Sequence, residues 1–189
     1  NNAVMMLAGP DLRVVPMTTH IPLAEVAGKL DGRLIRQRLR ATAKGLQRNF
    51  GIENPRLAVA GFNPHAGEAG NMGREELDIF EPAIAQVRSE GFNVIGPLPA
   101  DTMFHAEARA QYDAALCAYH DQALIPLKTL YFHDAVNITF GLPVVRTSPD
   151  HGTAFGIAGQ NKALPHSMIA AIKMAESAAL HRLAAADLG

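Results

Sequence analysis

Residues 31–61, DGRLIRQRLRATAKGLQRNFGIENPRLAVAG, contain a helical pattern followed directly by a strand pattern. Four apolar residues recur at helical spacing, namely Ile35, Leu39, Leu46 and Phe50. Gly51 comes directly after the last of them, which is typical of a helix end. The short apolar run Arg56–Gly61 then predicts a buried strand. A long amphipathic helix that leads into a short strand is a building unit of α/β folds.

The same alternation continues on both sides of this stretch. Further strands are predicted at Leu12–Met17, Phe92–Ile95, Ala114–Tyr119, Val136–Phe140 and Pro143–Val145. Further helices are predicted at Arg74–Glu90, directly after His120, and at Ser167–Ala185. We therefore predict an α/β fold with a mostly parallel or mixed sheet flanked by helices.

The helix predicted from residue 31 to residue 50 is strongly basic. Its cations are Arg33, Arg36, Arg38, Arg40, Lys44 and Arg48. A stripe of this kind can bind an anion, but helices ordinarily direct their charges to solvent. We interpret the stripe as a solvated face.

The composition excludes several classes of partner. Seventeen basic and 18 acidic residues give a net charge of −1, which indicates neither a nucleic-acid partner nor an anionic membrane. No apolar run is long enough to span a membrane, and the first residues lack a signal-peptide pattern. The lone Cys117 lies in an apolar run and is interpreted as a small buried hydrophobic residue of a reducing compartment. We expect a cytoplasmic protein that binds a small molecule.

Three histidines each follow a predicted strand: His20, His65 and His120. In a parallel sheet these positions lie at the carboxyl edge, where ligands bind. Three imidazoles suit zinc, and nearby carboxylates such as those of Asp101 and Asp121 extend the choice to Mg, Mn or Co. The spacing matches no short metal motif, so capping or core histidines are the alternative interpretation.

A second group combines two cations with an amide: Lys128, Asn137 and Arg146. Together they could hold a phosphate or a carboxylate, with Arg146 binding through its planar fork and Lys128 as a point charge. Singly, each is an ordinary surface residue.

A third group lies in the loop from Ser148 to Pro165, whose small and polar residues suit a nucleotide. Its candidate cofactor-binding residues are His151, Gly152, Thr153, Gly159 and Asn161. A plain turn would use the same glycines. No GxGxxG pattern follows a strand, so a Rossmann dinucleotide site is not predicted.

Six motifs occur in order between about residue 11 and about residue 175. They are TTHIPL (18–23), NPHAGE (63–68), GPLPADT (96–102), YHDQ (119–122), VNIT (136–139) and DHGTA (150–154). Together they resemble the 4-hydroxythreonine-4-phosphate dehydrogenase family of vitamin B6 biosynthesis. The resemblance implies a fold of the isocitrate and isopropylmalate dehydrogenase type.

The resemblance also implies a set of ligands. A divalent metal, zinc foremost with Mg or Co as alternatives, would be held by His20, His65 and His120 at a site shared between two subunits of a homodimer. Lys128, Asn137 and Arg146 would contact a small phosphorylated substrate, and the loop at His151 would contact NAD or NADP. Lys128, Asp121 and Asp101 remain as candidates for the catalytic base.

For the chain as a whole, the resemblance implies the C-terminal portion of a longer protein whose N-terminal region is absent. Residues 1–145 would form the metal-binding, substrate-binding and dimerisation part, and residues 146–189 would contribute to the NAD-binding domain.

The expected activity is oxidation and decarboxylation of 4-phosphooxy-L-threonine to 3-amino-2-oxopropyl phosphate. The alternatives are a related dehydrogenase acting on 4-phosphothreonate or 4-phosphoerythronate, a non-catalytic metal-binding dimer and, more remotely, a metallohydrolase.

Overall fold

A computed structural model describes the chain from residue 3 to residue 187, and this part contains seven strands. They are β1 (Val4–Ala8), β2 (Arg13–Pro16), β3 (Arg56–Ala60), β4 (Asn93–Leu98), β5 (Ala114–Cys117), β6 (Val136–Phe140) and β7 (Thr147–Pro149). The helices are α1 (Val26–Lys29), α2 (Gly32–Phe50), α3 (Glu81–Ser89), α4 (Ala106–Arg109), α5 (His120–Tyr131) and α6 (His166–Asp187). Short 3-10 turns cover Leu23–Glu25, Ala100–Thr102 and Phe155–Ile157, a left-handed turn covers Pro64–Gly70, and a π-helical segment covers Glu76–Phe80.

The strands form one sheet in the order β4-β3-β5-β2-β1-β6-β7. The first four strands of this order are parallel to one another, whereas β1 runs antiparallel between β2 and β6, and β7 is antiparallel to β6. The α/β fold with a mixed sheet is therefore confirmed. Because β2, β3, β4 and β5 are parallel, the loops that follow them all leave at one edge of the sheet.

Helix α2 forms as its sequence pattern predicts. The Asp31 side chain accepts a hydrogen bond from the Leu34 N–H at 2.6 Å and caps the first turn. Gly51 ends the helix at a φ of 65°, a left-handed conformation that glycine adopts without strain. The buried face carries Ile35 and Leu39, and burying each such side chain contributes about 1.5–3 kcal/mol.

Two apolar clusters lie on opposite faces of the sheet. One packs under α2 and α3 and includes Ile35, Leu39, Phe80, Ile84 and Phe140. The other packs under α5 and includes Leu7, Leu12, Leu124 and Leu127. Cys117 of β5 belongs to the second cluster, and burial raises the pKa of its thiol, as expected for a structural cysteine.

Two predictions at the strand level are wrong. Pro143–Val145 is not a strand, because Pro143 has no N–H to donate, and the bond that closes the hairpin runs from the Thr139 N–H to the Arg146 carbonyl at 3.0 Å. The last strand is β7 instead. Strand β1 was not predicted, because its sequence VMMLA has only one β-branched residue and no polar alternation. It is nevertheless a central strand, covered on both faces.

The solvated-face interpretation of α2 is wrong for Arg38. Its guanidinium is half-buried and donates to the Met17 carbonyl at 3.1 Å and to the Ala3 carbonyl at 3.0 Å. Arg40 pairs with Glu90 at the surface. Within residues 3–187, no helix is both long enough and apolar enough to cross a membrane.

Candidate metal and substrate site

His20 and His120 come together at the carboxyl edge of the sheet. They follow β2 and β5, which are parallel neighbours, and their ring centroids lie 5.4 Å apart with an interplanar angle of 44°. Both rings line a cavity of about 270 Å³. Two imidazoles on one tetrahedral zinc, at bond lengths of about 2.0–2.1 Å, place their centroids about 5 Å apart. The observed separation of 5.4 Å is close to that value.

Asp121 contacts the His120 ring directly. The Nδ1 of His120 lies 2.7 Å from the Asp121 Oδ1. Because a carboxylate oxygen accepts, the Nδ1 carries the hydrogen, and the Nε2 lone pair is left for a cation. This carboxylate–histidine pairing is the usual way in which proteins orient a metal-binding imidazole.

Hydrogen bonds join the three histidine-bearing loops at their bases. The Thr18 hydroxyl donates to the Ala118 carbonyl at 2.8 Å, which ties the loop after β2 to the loop after β5. Gln122 accepts from the Ala118 N–H at 2.7 Å and donates to the Gly61 carbonyl at 2.8 Å, which ties the loop after β5 to the loop after β3. Neither Thr18 nor Gln122 was predicted to have such a role. Their only signal was their place in the TTHIPL and YHDQ motifs.

His65 is the third predicted ligand, and it lies in the exposed turn Pro64–Gly70 that follows β3. Within residues 3–187, no three His, Cys, Asp or Glu side chains are placed to hold one ion. A single chain thus pairs His20 with His120 and does not complete a three-histidine site. Binding of one ion by all three histidines stays a prediction that needs a second chain.

Asp101 is placed at the same edge of the sheet by the turn Ala100–Thr102, which follows β4, and its side chain is exposed. Of the three base candidates, Asp121 is engaged with His120. Lys128 lies farther along α5.

Asn137 and Arg146 lie on the sheet face that α5 covers. Asn137 stands directly opposite Leu7 in the β1–β6 pairing, and Leu7 packs in the cluster under α5. Thr139, two residues along β6, shares this face and accepts a hydrogen bond from the Arg146 Nη1 at 3.1 Å. The side-chain oxygen of Asn137 is buried and has no hydrogen-bond partner in the described part of the chain.

Lys128 reaches this region from α5. Its Nζ donates to the Asp150 carbonyl oxygen at 3.2 Å and lies 3.3 Å from the Asp150 Oδ2. Asp150 follows β7, which pairs with β6 beside Asn137. The three predicted substrate residues therefore occupy one face of the sheet.

The cavity at His20 and His120 shares residues with a second cavity. The second cavity, of about 420 Å³, is lined by Lys128 and by the same His120 and Asp121 that line the first.

The predicted nucleotide loop is exposed along its length, from His151 to Asn161. His151 and Gly152 line a separate cavity of about 450 Å³ together with Lys162. His133 also lines this cavity, so three side chains that carry nitrogen surround it. Thr153, Gly159 and Asn161 are on the same loop but are not among the residues that line this cavity.

Residues 1–175 match the family described as pyridoxal phosphate biosynthetic protein PdxA. The chain belongs to the PdxA family. It is 58% identical over 187 residues to 4-hydroxythreonine-4-phosphate dehydrogenase of Zymomonas mobilis, covering 99% of this chain and 56% of that protein. The chain thus spans about half the length of the curated relatives it matches.

Solved structures of named dehydrogenases share the fold of this chain. A crystal structure of 4-hydroxythreonine-4-phosphate dehydrogenase from Klebsiella pneumoniae matches with a TM-score of 0.85 and 44% identity, covering 95% of this chain and 55% of that one. A terephthalate 1,2-cis-dihydrodiol dehydrogenase from Burkholderia xenovorans matches with a TM-score of 0.75 and 35% identity, covering 93% and 56%. The implied isocitrate and isopropylmalate dehydrogenase type of fold is confirmed.

Proposed function

We propose that the protein carrying this chain is an NAD-dependent and divalent-metal-dependent dehydrogenase of the cytoplasm. It oxidises and decarboxylates 4-phosphooxy-L-threonine to 3-amino-2-oxopropyl phosphate in vitamin B6 biosynthesis. The observation that carries the proposal is the 5.4 Å approach of His20 and His120 in a cavity that shares His120 and Asp121 with a second cavity lined by Lys128. The names of the PdxA-family relatives support the same reaction.

When bound, a divalent cation supplies a Lewis acid for the substrate hydroxyl, and NAD supplies a hydride acceptor. At this end of the site, the chain holds the imidazole nitrogens of His20 and His120 in place. Asp121 keeps the His120 ring in the orientation that directs Nε2 away from the carboxylate. The hydrogen bonds of Thr18 and Gln122 hold the histidine-bearing loops in fixed positions relative to one another.

At the other end of the site, two cations and an amide orient the substrate. Arg146 offers a planar fork suited to a carboxylate or phosphate, and Lys128, which Asp150 holds in the single chain, adds a point charge. Asn137 is the third proposed substrate contact, and its side-chain oxygen is buried in the single chain. Holding the reacting groups in this way lowers the entropic part of the barrier. One of Asp101, Asp121 and Lys128 removes the hydroxyl proton.

We further propose that the working unit is a homodimer. His20 and His120 of one chain would be joined by His65 of a second copy, because the single chain pairs only the first two. The exposed loop from His151 to Asn161 would bind the cofactor, with residues 146–189 forming part of its domain.

Metal binding is the first test. The intact protein, freed of metal, is titrated with Co²⁺, whose visible spectrum reports tetrahedral coordination. We expect one ion per subunit, and we expect His20→Ala and His120→Ala each to weaken affinity more than the roughly 10–100-fold typical of residues that only orient a ligand. His105→Ala is the matched control, because His105 is exposed and contacts Glu107 instead. Equal affinity in all four proteins would exclude this site.

Substrate turnover is the second test. NADH formation by the intact protein is compared for 4-phosphooxy-L-threonine, 4-phosphothreonate and 4-phosphoerythronate. The dihydrodiol dehydrogenase among the structural neighbours shows that this fold also occurs in dehydrogenases named for a different substrate, which favours the related dehydrogenase as the second candidate. Preference for the amino substrate supports the proposal. Preference for a hydroxy acid supports the second candidate, and metal binding without NADH formation from any of the three contradicts both.

A further inference from the structure

The turn that carries His65 has an unusual backbone. His65, Ala66, Glu68 and Ala69 have φ angles of 52°, 52°, 43° and 54°, so four residues with side chains in a row of five are left-handed. For an L-residue this conformation costs about 1–2 kcal/mol each in a left-handed helix. Such a run persists only where surrounding contacts over-determine it.

The contacts around this turn come from two adjacent glutamates: Glu75, whose Oε2 accepts from the Asn63 Nδ2 at 2.7 Å, and Glu76. The Glu76 side chain is buried, with 2% of its surface exposed. Its Oε1 accepts a hydrogen bond from the Asn63 backbone N–H at 2.7 Å, and its Oε2 accepts one from the Asn63 Nδ2 at 2.9 Å. Asn63 is the residue at which the turn begins. Both oxygens of one buried carboxyl group therefore hold the start of the turn.

The carboxyl group also sets the shape of the turn's interior. A Cβ placed on Gly67 would lie 2.6 Å from the Glu76 Oε2, and Gly67 has a φ of 77°. The Glu76 side chain thus packs directly against the backbone of the turn, in a space that only glycine leaves open. Glu76 itself begins the π-helical segment Glu76–Phe80, whose Phe80 is buried in the core. The contact is therefore anchored to a rigid element.

We infer that Glu76 is a positioning residue, which fixes the left-handed turn through Asn63 so that His65 is presented to the cation. The first half, that Glu76 fixes the turn, follows from its contacts with Asn63 and Gly67. The second half, that His65 binds the cation, rests on the proposed function. Neither Asn63 nor Glu76 contacts His20 or His120 in the hydrogen bonds described above, so their effect on the metal acts through the turn.

Glu76→Gln is the sharpest variant, because it keeps the size of the side chain. In one orientation its NH₂ group faces the Asn63 Nδ2 donor, and in the other it faces the Asn63 N–H. One of the two hydrogen bonds is lost in either case. Glu81→Gln is the matched control, since Glu81 is an exposed glutamate in the first turn of α3.

Two measurements on the intact protein test separately whether Glu76 fixes the turn and whether His65 of that turn binds the cation. Hydrogen exchange of the backbone amides of residues 63–73 is measured without metal, and Co²⁺ affinity is measured by titration. We expect Glu76→Gln to speed exchange in this segment about tenfold or more, to leave exchange in α2 unchanged, and to weaken Co²⁺ binding about 10–100-fold. Glu81→Gln should change neither quantity.

Each result decides one half. Unchanged exchange in Glu76→Gln overturns the positioning role, whatever happens to Co²⁺ binding. Faster exchange with unchanged Co²⁺ affinity overturns the connection to the metal. If the wild-type protein binds no Co²⁺, the proposed function fails, and the exchange result still decides whether Glu76 holds the turn. If Glu76→Gln does not fold, Asn63→Ala is measured in the same way; it keeps the bond from the Asn63 N–H to Glu76 and removes the Nδ2 bonds to Glu76 and Glu75.

Discussion

His120 and Asp121 are adjacent in the chain, and their contact determines which nitrogen of the ring faces the pocket. The 2.7 Å contact places the Nδ1 hydrogen on the carboxylate side. An imidazole that is held in this way loses less rotational freedom when it binds a cation. Asp121 is 70% exposed at its side chain, so its value to the protein lies in orienting His120, and its contribution to folding is small.

We therefore predict that Asp121→Asn weakens Co²⁺ affinity about 10–100-fold and leaves the unfolding midpoint of the metal-free protein unchanged. An amide can still accept from Nδ1, but it carries no charge and so holds the ring less firmly. Asp134→Asn, another exposed aspartate, is the control. Loss of stability without loss of Co²⁺ affinity would show that Asp121 has a folding role instead.

Among single residues, those that directly follow strands were predicted from the sequence, and those that contact a distant segment of the chain were not. His20 and His120 were predicted to lie together, because the carboxyl ends of parallel strands share an edge. Thr18, Gln122 and Glu76 were not singled out, because each acts on a residue of another segment, such as Gln122 on Gly61. Contacts of that kind depend on strand order, which local patterns do not specify.

Helix α2 packs on β6 at unusually close range, and the close approach occurs at Gly45. A Cβ on this residue would lie 2.2 Å from the Phe140 ring, and Phe140 is fully buried. The phenyl ring therefore occupies the space that any larger residue would need. Helix propensity alone predicts the opposite, that alanine at position 45 would stabilise the helix, since glycine within a helix is unfavourable by about 0.8–1.0 kcal/mol relative to alanine.

Gly45→Ala tests which effect is larger. We expect a loss of about 1–3 kcal/mol in the free energy of unfolding, because the overpacked ring outweighs the gain in helix propensity. Gly28→Ala in α1 is the control, since no atom lies within 4 Å of its added methyl group. That variant should be as stable as the wild type or more so in denaturant unfolding. A Gly45→Ala protein that gains stability as Gly28→Ala does would refute the steric argument.

Element prediction succeeded where periodicity was strong and failed where it was weak. Helix α2 began and ended within one residue of its predicted bounds, because a capping aspartate and a terminal glycine mark it. Strand β1 carries no alternation, since it is buried on both faces, and a run such as VMMLA fits helix and strand equally.

In the proposed homodimer, the metal site is complete only when two copies of the chain associate. One chain pairs His20 with His120 and leaves His65 on an exposed turn. No spacing rule within one sequence predicts a ligand that another copy supplies, and only the family resemblance implied it. A shared site also makes metal affinity depend on protein concentration.

Mixing inactive variants tests this arrangement. His65→Ala and His120→Ala, each without metal-dependent activity alone, should recover activity when dissociated and reassociated together. Random pairing gives heterodimers with one intact site, so we expect about one quarter of wild-type NADH formation. His20→Ala mixed with His120→Ala should recover none, because those two ligands come from the same chain. Equal recovery in both mixtures, or none in either, contradicts the assignment.

Strand β1 lies between β2 and β6, and its partner in β6 comes very late in the chain: Met6 pairs with Ile138. During synthesis, β1 therefore lacks its β6 partner until the chain as far as Phe140 has left the ribosome. Such long-range closure is slow, and an unpaired apolar edge invites association with other chains. Nascent chains that stop short of β6 should be aggregation-prone and dependent on chaperones, whereas chains that include β6 can close the sheet.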